Sequence, residues 1–298
     1  MTVLHVLGVP SSAASYAPGQ EQAPRALREA GLLDALTASG WQVEDAGDLT
    51  MQVWSPDRAR PFAQNLTAVA SSVRELAARV ASLTSSGERL LVLGGNCTVA
   101  LGMCAGLRDS GLEPHLVYID RHFDLNTPES TREGALDWMG VAHGLAVEGS
   151  ADELLDALGP RPLLVPGQVS FLGVEVDGAT GFEREQADRL HLPVVPLHDL
   201  VAAPRDSART ARSALPDEPF AVHLDVDVLD FIDAPLAENV NGRNSGPTVD
   251  QLGEALGTLW QDPGCRALSI GELNPVHARA DPAALPRFID TLADALAT

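Results

Sequence analysis

The chain contains 298 residues, with 20 arginine and lysine side chains against 41 acidic ones and a formal net charge of −21 at pH 7. Every one of the 20 is an arginine, and this lack of lysine excludes mechanisms that use a Schiff-base, pyridoxal-phosphate or P-loop lysine. The acidic balance disfavours nucleic acids and anionic membranes, which attract clustered positive charge, and favours small cationic molecules as partners.

Length and cysteine content suggest the class of protein and its location. The length suits one large domain or two small ones, and we expect one domain spanning residues 1–298. No apolar run approaches the roughly 20 residues that a membrane-spanning helix needs. Cys97, Cys104 and Cys265 form an odd, sparse set, which indicates no disulfide framework and favours the reducing cytoplasm.

Short apolar runs rich in β-branched residues alternate along the chain with longer helical patterns. This alternation predicts βαβ units and a parallel sheet that helices cover on both faces. The predicted strands are Val3–Leu7, Leu90–Leu93, His115–Ile119, Val169–Val174, Val194–Leu197, Phe220–Val226 and Ala267–Gly271. The predicted helices include Leu66–Leu83, Thr98–Leu107, Ser150–Leu158, Val249–Leu259 and Ala283–Leu296.

Two acidic clusters follow predicted strands. The first runs from Asp120 through His122 to Asp124, and the second contains Asp225 and Asp227. Alternate residues of an extended strand share a face, so the members of each cluster are expected to point the same way. The carboxyl ends of parallel strands are also where open α/β sheets bind ligands.

The alternative explanation of these clusters is that they are surface aspartates in turns. Converging carboxylates repel one another, and a hard divalent cation removes that repulsion. Carboxylates combined with imidazole suit manganese, whereas zinc sites draw mainly on histidine and cysteine. The clusters therefore predict a metal site. Each is followed by a long irregular stretch, Asn126–Gly134 or Asp233–Pro247, of the kind that is usually functional.

Two further segments have chemically notable residues at strand ends. The segment Gly94-Gly95-Asn96-Cys97 has the pattern of a strand, a glycine turn and a helix start, but it lacks the lysine of a phosphate-binding loop. Cys97 is expected near the carboxylates, although a free cysteine is more often a buried core thiol. Glu272 follows another predicted strand, which by itself is weak support for a role.

Taken together, these segments resemble the ureohydrolases, the family of arginase, agmatinase and formiminoglutamase. The resemblance implies one arginase-like catalytic domain with a three-layer α/β/α fold and a mostly parallel sheet of about eight strands. It also implies two Mn²⁺ ions, a small guanidino-type or amidine substrate, and a homo-oligomer, a trimer or a hexamer. The motifs that carry it are Gly8-Val9-Pro10, Gly19, Pro24, Leu27-Arg28, Gly94–Cys97, Asp120–Asp124, Asp225–Asp227 with Asp230, and Glu272–Pro275.

By position in those motifs, the resemblance implies a role for each metal ligand. Asp120 and Asp225 would bridge the two ions. Cys97 and Asp124 would complete the shell of one ion, and His122 and Asp227 that of the other. A hydroxide held between the ions would attack the guanidinium carbon.

The resemblance also implies substrate contacts. Asp124 would hydrogen-bond the hydroxide, and Glu272 would pair with the guanidinium and position it. Asn126 matches a position that contacts the substrate carboxylate in arginases.

Three residues depart from the family pattern. Cys97 replaces a histidine; its thiolate adds negative charge and favours softer ions, and a branch with cysteine here includes enzymes that act on N-hydroxyarginine. Arg121 replaces an alanine, and one hypothesis is that it offsets the charge of Cys97. Asp137 replaces a proton-shuttling histidine and would be a poorer proton donor at neutral pH unless burial raises its pKa. His143, six residues later, is expected to be structural.

The sequence therefore predicts a metal-dependent hydrolase of a guanidine or N-hydroxyguanidine that releases urea or hydroxyurea. One alternative is a hydrolase of formimino groups or other linear amidines. A second is a catalytically altered member of the fold with a binding or regulatory role.

Overall fold

The computed structural model describes residues 3–84, 88–238 and 244–298. Its described residues contain eight strands of one sheet, in which all neighbouring strands run parallel. They are β1 (Val3–Gly8), β2 (Gln42–Asp48), β3 (Arg89–Leu93), β4 (Leu116–Ile119), β5 (Val169–Val174), β6 (Val194–Pro196), β7 (Phe220–Asp225) and β8 (Cys265–Gly271). Their order in the sheet is β2-β1-β3-β8-β7-β4-β5-β6.

Helices cover both faces of this sheet. In the described ranges they are α1 (Ala23–Glu29), α2 (Leu32–Ala38), α3 (Leu66–Leu83), α4 (Val99–Asp109), α5 (Gly140–Gly144), α6 (Asp152–Leu158), α7 (Gly181–Arg189), α8 (Leu197–Ala202), α9 (Pro204–Ser213), α10 (Val249–Trp260) and α11 (Ala284–Ala295). One apolar cluster joins the sheet to α1, α2 and α8–α11, and the other joins it to α3–α7. The predicted three-layer α/β/α fold is confirmed. No helix in the described residues is long and apolar enough to cross a membrane.

The central strands are buried on both faces. In β3, Leu91 and Leu93 belong to one apolar cluster, whereas Leu90 and Val92 belong to the other. A strand buried on both sides has a continuous apolar sequence. This is why seven of the strands could be located from their apolar runs, with small differences at their ends.

The strand that sequence analysis missed is β2. It lies at the edge of the sheet, and among the described strands it pairs with β1 alone. Its sequence, Gln42–Asp48, is mostly polar and its residues are exposed or half-buried. Polar edge strands protect a sheet from pairing with another chain, and they lack the apolar signal of a central strand. In the predicted irregular stretch Asp233–Pro247, residues 239–243 lie outside the described residues.

A close backbone approach shapes the turn after β3. A Cβ atom added to Gly95 would lie 1.6 Å from the carbonyl oxygen of Ser11. The same carbonyl accepts a hydrogen bond of 3.1 Å from Asn96 Nδ2. Only a glycine allows the turn that leads to Cys97 to pack this tightly against the segment after β1.

We therefore expect Gly95→Ala to lower the free energy of unfolding by at least about 2 kcal/mol, because the added methyl group overlaps backbone atoms that cannot move aside cheaply. Chemical denaturation of the two proteins measures this. Gly167→Ala is the matched control, since an added Cβ there meets nothing within 4 Å. A Gly95→Ala protein as stable as the control would contradict the proposed constraint.

Candidate metal centre and active site

Four adjacent strands bring the predicted site residues to one edge of the sheet. The order β3-β8-β7-β4 sets four carboxyl ends side by side. Cys97 follows β3, Glu272 follows β8 and Asp225 is the last residue of β7. Asp120 opens the segment after β4. Residues far apart in the chain therefore become neighbours, because parallel strands end at the same edge.

After β4, a tight turn sets the orientation of the candidate ligand side chains of the first acidic cluster. The strand ends at Ile119, and Asp120 Oδ1 accepts a hydrogen bond of 2.6 Å from the backbone N–H of His122. Asp124 has a positive φ of 52°, a conformation that aspartate tolerates better than most residues. The expectation that these residues share one face of an extended strand is wrong, since the chain has already left the sheet.

The second acidic cluster forms its own turn. β7 ends at Asp225, and Val226–Val228 is a short 3₁₀ turn. Asp225 Oδ1 accepts a hydrogen bond of 2.7 Å from the backbone N–H of Asp227. Here too the two aspartates converge through a turn, and strand alternation was the wrong reason for their proximity.

The six residues predicted to bind metal fall into two overlapping groups. Within each group, one potential ligand atom per residue lies within 4.8 Å of all the others. One group contains Asp120, His122, Asp225 and Asp227, and the other contains Cys97, Asp120 and Asp124.

Individual distances show how close the ligand atoms are. His122 Nδ1 lies 3.3 Å from Asp120 Oδ1 and 3.3 Å from Asp227 Oδ2. The thiol of Cys97 donates to Asp225 Oδ2 across 3.2 Å, so Asp225 connects the two groups. The geometry is therefore that of two ligand groups that share Asp120 and are joined by the bond between Cys97 and Asp225.

Burial raises the affinity of these groups for protons. It raises the pKa of Asp120 to about 6. Burial, together with repulsion from neighbouring carboxylates, raises the pKa values of Asp124 and Asp225 well above their ordinary value. The pKa of the Cys97 thiol is raised for the same two reasons. The cluster needs either protons or cations to offset its charge.

The residues fit a pair of divalent cations. Asp120 Oδ2 is buried and has no hydrogen-bond partner in the described part of the chain, so a lone pair is left for a cation. Carboxylates with one imidazole match the preferences of manganese. The thiol of Cys97 is the one soft donor, and it widens the range of ions that the group containing it accepts.

Glu272 faces the same centre and is held by two donors. Its Oε1 accepts a hydrogen bond of 3.2 Å from the backbone N–H of Cys97, and its Oε2 accepts one from Gln20 Nε2. Its φ is 66° and it is buried, and burial raises its pKa well above the ordinary value. Sequence analysis missed Gln20, because its proximity to Glu272 arises only when the chain folds.

Asp137 lies in the same cavity as the ligands. Burial raises its pKa to about 7, partly offset by the hydrogen bond from the backbone N–H of Trp138. The sequence-based condition for Asp137 to donate a proton, a pKa raised by burial, is therefore met in the metal-free protein.

His143 is held within the protein by both nitrogens of its ring. One bonds to the carbonyl of Met139 at 2.7 Å, and the other accepts from the N–H of Ala151 at 3.0 Å. The prediction that His143 is structural is confirmed.

Asn126 does not line the cavity. Its side chain is buried, and its Oδ1 accepts hydrogen bonds from Ser130 Oγ and Thr180 Oγ1, both at 3.2 Å. Of these partners, Thr180 does line the cavity. Asn126 therefore orders the cavity wall in this conformation, and its side chain is not presented for contact with a substrate.

A cavity of about 260 Å³ opens onto the ligand cluster. It is strongly acidic, and none of its lining residues in the described ranges is an arginine. Two aromatic side chains add an apolar surface, and the exposed Glu133 marks its open side. The lining residues are Tyr16, Cys97, His122, Asp124, Glu133, Ala135, Asp137, Trp138, Gly178, Thr180, Glu183, Asp225, Asp227 and Glu272.

The buried rings of Tyr118 and His223 pack beside the candidate ligand Asp124. The hydroxyl of Tyr118 donates to Asp124 Oδ2, and the Tyr118 ring stacks on His223 with centroids 4.8 Å apart. His223 bonds to Ser269 Oγ at 2.8 Å, and burial lowers its pKa to about 3, so the ring is neutral. Tyr118 carried no sequence signal, because a tyrosine inside an apolar strand resembles any core aromatic residue.

Comparison with known proteins assigns the chain to a family. A profile described as the Arginase family matches residues 3–286. The arginase of Agrobacterium fabrum is 28% identical over 283 residues, covering 91% of this chain and 83% of the relative. This chain belongs to the arginase family, which confirms the resemblance to the ureohydrolases.

Solved structures share the fold. The arginase of Bacillus cereus superposes with a TM-score of 0.86 at 24% identity and covers 99% of this chain and 98% of that one. A formiminoglutamase variant of Trypanosoma cruzi, solved with Mn²⁺, gives a TM-score of 0.71 at 15% identity and covers 100% and 94%. Proteins named for two different substrates thus share this architecture.

The raised carboxyl pKa values predict how stability depends on pH. For Asp120 and Asp137, with pKa values of about 6 and about 7, the native state holds protons that the unfolded state has released. Such a group stabilises the native protein at low pH, and that stability is lost as pH rises through the folded pKa. We expect the metal-free protein to unfold at lower denaturant concentration at about pH 8 than at about pH 6.

Denaturant titrations of chelator-treated protein across this interval measure the effect. The neutral, buried His143 and His223 act in the opposite direction, but mainly below about pH 6.5, the ordinary histidine pKa. Asp137→Asn is expected to reduce the slope. A midpoint that rises with pH over this interval would contradict the prediction.

Proposed function

We propose that this protein is a binuclear metal-dependent amidinohydrolase. It hydrolyses a C–N bond of a guanidine or N-hydroxyguanidine and releases urea or hydroxyurea. The observation that carries the proposal is the pair of ligand groups that share Asp120, in a cavity that also contains Glu272. Membership of the arginase family supports the same class of chemistry.

In this proposal the six clustered residues hold two Mn²⁺ ions. Asp120 and Asp225 would serve both ions, Cys97 and Asp124 would complete the donor set of one ion, and His122 and Asp227 would complete that of the other. When bound, two divalent ions would offset the charge of the carboxylates and lower the pKa of a metal-bound water molecule. Other divalent ions remain candidates because Cys97 is a soft ligand.

The protein's own groups orient the substrate and handle its protons. Glu272, fixed by Gln20 and the N–H of Cys97, pairs with the guanidinium and presents its carbon to the nucleophile. Asp124, fixed by the hydroxyl of Tyr118, accepts a hydrogen bond from the attacking water.

Asp137 supplies a proton to the leaving nitrogen. Burial raises the pKa of Asp137, which favours the protonated form that this role needs. The less basic nitrogen of an N-hydroxyguanidine would need less help from such an acid, which favours a modified guanidine slightly.

The charge of the cavity supports a cationic substrate. Glu133 and Glu183 add to the carboxylates already described, and the described residues that line the cavity include no arginine. A guanidinium or amidinium ion is attracted by this field. Asn126 is a proposed contact of the substrate carboxylate only if its side chain leaves the hydrogen bonds to Ser130 and Thr180.

Hydrolysis of formimino groups or other linear amidines is the second candidate. It is favoured by the fold shared with a formiminoglutamase, and its products, formamide or ammonia, separate it from urea release. A binding or regulatory role without catalysis is the third, motivated by Cys97, Arg121 and Asp137.

We also propose that residues 1–298 act as one catalytic domain in a homo-oligomer, a trimer or a hexamer, in the cytoplasm. The family match over residues 3–286 supports the first point. Three buried, unpaired cysteines accord with a reducing compartment.

Metal stoichiometry tests this proposal first. We expect two Mn²⁺ per chain in wild-type protein, and loss of one or both ions in Asp225→Asn, because this residue joins the two ligand groups. Cys97→Ser is expected to keep two sites but to shift the preference toward harder ions. Elemental analysis after dialysis measures both.

The exposed pair formed by His198 and Asp199 offers a control, His198→Gln, that should bind metal as wild type does. The loaded enzyme is then given alkylguanidines, arginine, N-hydroxyarginine and formimino compounds, and each product is identified. Binding of no manganese, iron, cobalt or zinc would refute the enzyme and favour the non-catalytic role.

The pH profile tests the role of Asp137. Because the protonated form donates the proton, kcat should fall as pH rises through the pKa of Asp137, which burial raises. Asp137→Asn should lower kcat by about 10²- to 10⁴-fold, the usual contribution of a general acid, and remove that limb of the profile. An unchanged profile in Asp137→Asn would assign the proton transfer to another group.

A further inference from the structure

Arg121 lies between two candidate ligands, Asp120 and His122, yet it does not line the cavity. Its side chain is 2% exposed. A buried guanidinium is costly unless charge and hydrogen bonds compensate it. Its partners therefore indicate what it does.

The side chain of Arg121 reaches from the segment after β4 to the segments after β5 and β7. Nη1 donates to Glu175 Oε2 at 2.9 Å and to Ser245 Oγ at 3.1 Å, and Nε donates to the carbonyl oxygen of Asp227 at 3.4 Å. The backbone adds a fourth link, since the N–H of Glu175 donates to the Arg121 carbonyl at 2.9 Å. One residue thus connects three loops at the carboxyl edge of the sheet.

These contacts lie on one side of the ligand cluster. Asp227 is held at two points, by Arg121 at its carbonyl and by Asp225 Oδ1 at its N–H. His122, the residue next to Arg121, shares the ligand group of Asp227. None of the described hydrogen bonds of Arg121 reaches Cys97, so the contacts do not support a direct offset of the thiolate charge.

The other ligand group has separate supports. Asp124 is held by the hydroxyl of Tyr118, and Cys97 is held by its bonds to Asp225 and Glu272. Arg121 takes part in none of these bonds. The two ligand groups share Asp120 and meet at Asp225, but Arg121 bonds directly to Asp227 of one group and to neither Cys97 nor Asp124 of the other.

We propose that Arg121, paired with Glu175, is a positioning residue that holds Asp227 and His122 ready for one metal ion and leaves the ion at Cys97 and Asp124 unaffected. The inference rests on the proposed binuclear centre. It predicts that replacing a residue that is not itself a ligand weakens the binding of one ion and not of the other. The planar guanidinium, with several donors at fixed angles, suits a junction of three loops better than the single ammonium of lysine.

Cobalt titration tests the proposal, because Co²⁺ ions bound at the two ligand groups have different absorption spectra. A Co²⁺ ion bound by the Cys97 thiolate gives a sulfur-to-metal charge-transfer band, and the ion at His122 and Asp227 does not. Total bound cobalt is measured by equilibrium dialysis, so the two ions are counted separately.

In Arg121→Met we expect the charge-transfer band to saturate at the same cobalt concentration as in wild type, within about twofold. The second ion should bind at least about tenfold more weakly. Arg121→Lys should restore part of that loss. Glu175→Gln, at a half-exposed position, should weaken the same ion less.

Arg28→Met is the matched control. Arg28 also makes several bonds to acidic side chains, Asp45 and Asp48, but at the edge strand β2, far along the sheet from the ligands. It should bind both ions as wild type does. Denaturant unfolding of each metal-free variant checks that it is folded.

Equal weakening of both ions in Arg121→Met, or of neither, would overturn the proposal. If that variant does not fold, the decision passes to Glu175→Gln, where binding of both ions at wild-type strength would overturn it. Wild-type protein that binds fewer than two cobalt ions would instead refute the binuclear centre itself, and the proposed function with it.

Discussion

The rest of the site depends on the crowding of buried carboxylates at one edge of a parallel sheet. Asp120, Asp124 and Asp225 are almost fully buried, and burial with mutual repulsion raises their pKa values. Such a cluster is tolerable only with protons or cations present. The rigid carboxyl edge of the sheet keeps these carboxylates together despite the unfavourable free energy of burying and crowding them.

The sheet fixes the positions of the candidate ligand residues, and the turns after the strands set the orientation of their side chains. The strands are buried on both faces and end in register, so the first residue beyond each strand is well placed. Short hydrogen bonds from backbone N–H groups to Asp120 and Asp225 then fix the carboxylates. Tyr118, Gln20 and Arg121 extend this support to Asp124, Glu272 and Asp227 in turn.

The residues that depart from the family pattern have different structural roles. Cys97 lies within the cluster itself and bonds to Asp225. Asp137 lines the cavity, where burial gives it a pKa suited to proton transfer near neutrality. Arg121 lies outside the cavity and holds the loops that carry ligands. The proposed chemistry therefore depends on the first two directly and on the third through positioning.

The sequence by itself determined the class of fold and the residues of the cluster. Continuous apolar runs located the doubly buried strands, and charged residues directly after them could only lie at the carboxyl edge of a parallel sheet. The polar edge strand β2 left no such trace. Only the tertiary structure showed that turns orient the aspartates and that the side chain of Asn126 is bonded within the cavity wall. It also showed that Gln20, Tyr118 and Glu175 support the site through hydrogen bonds. These contacts join residues distant in the chain, and their partners are chosen by packing, which no local pattern encodes.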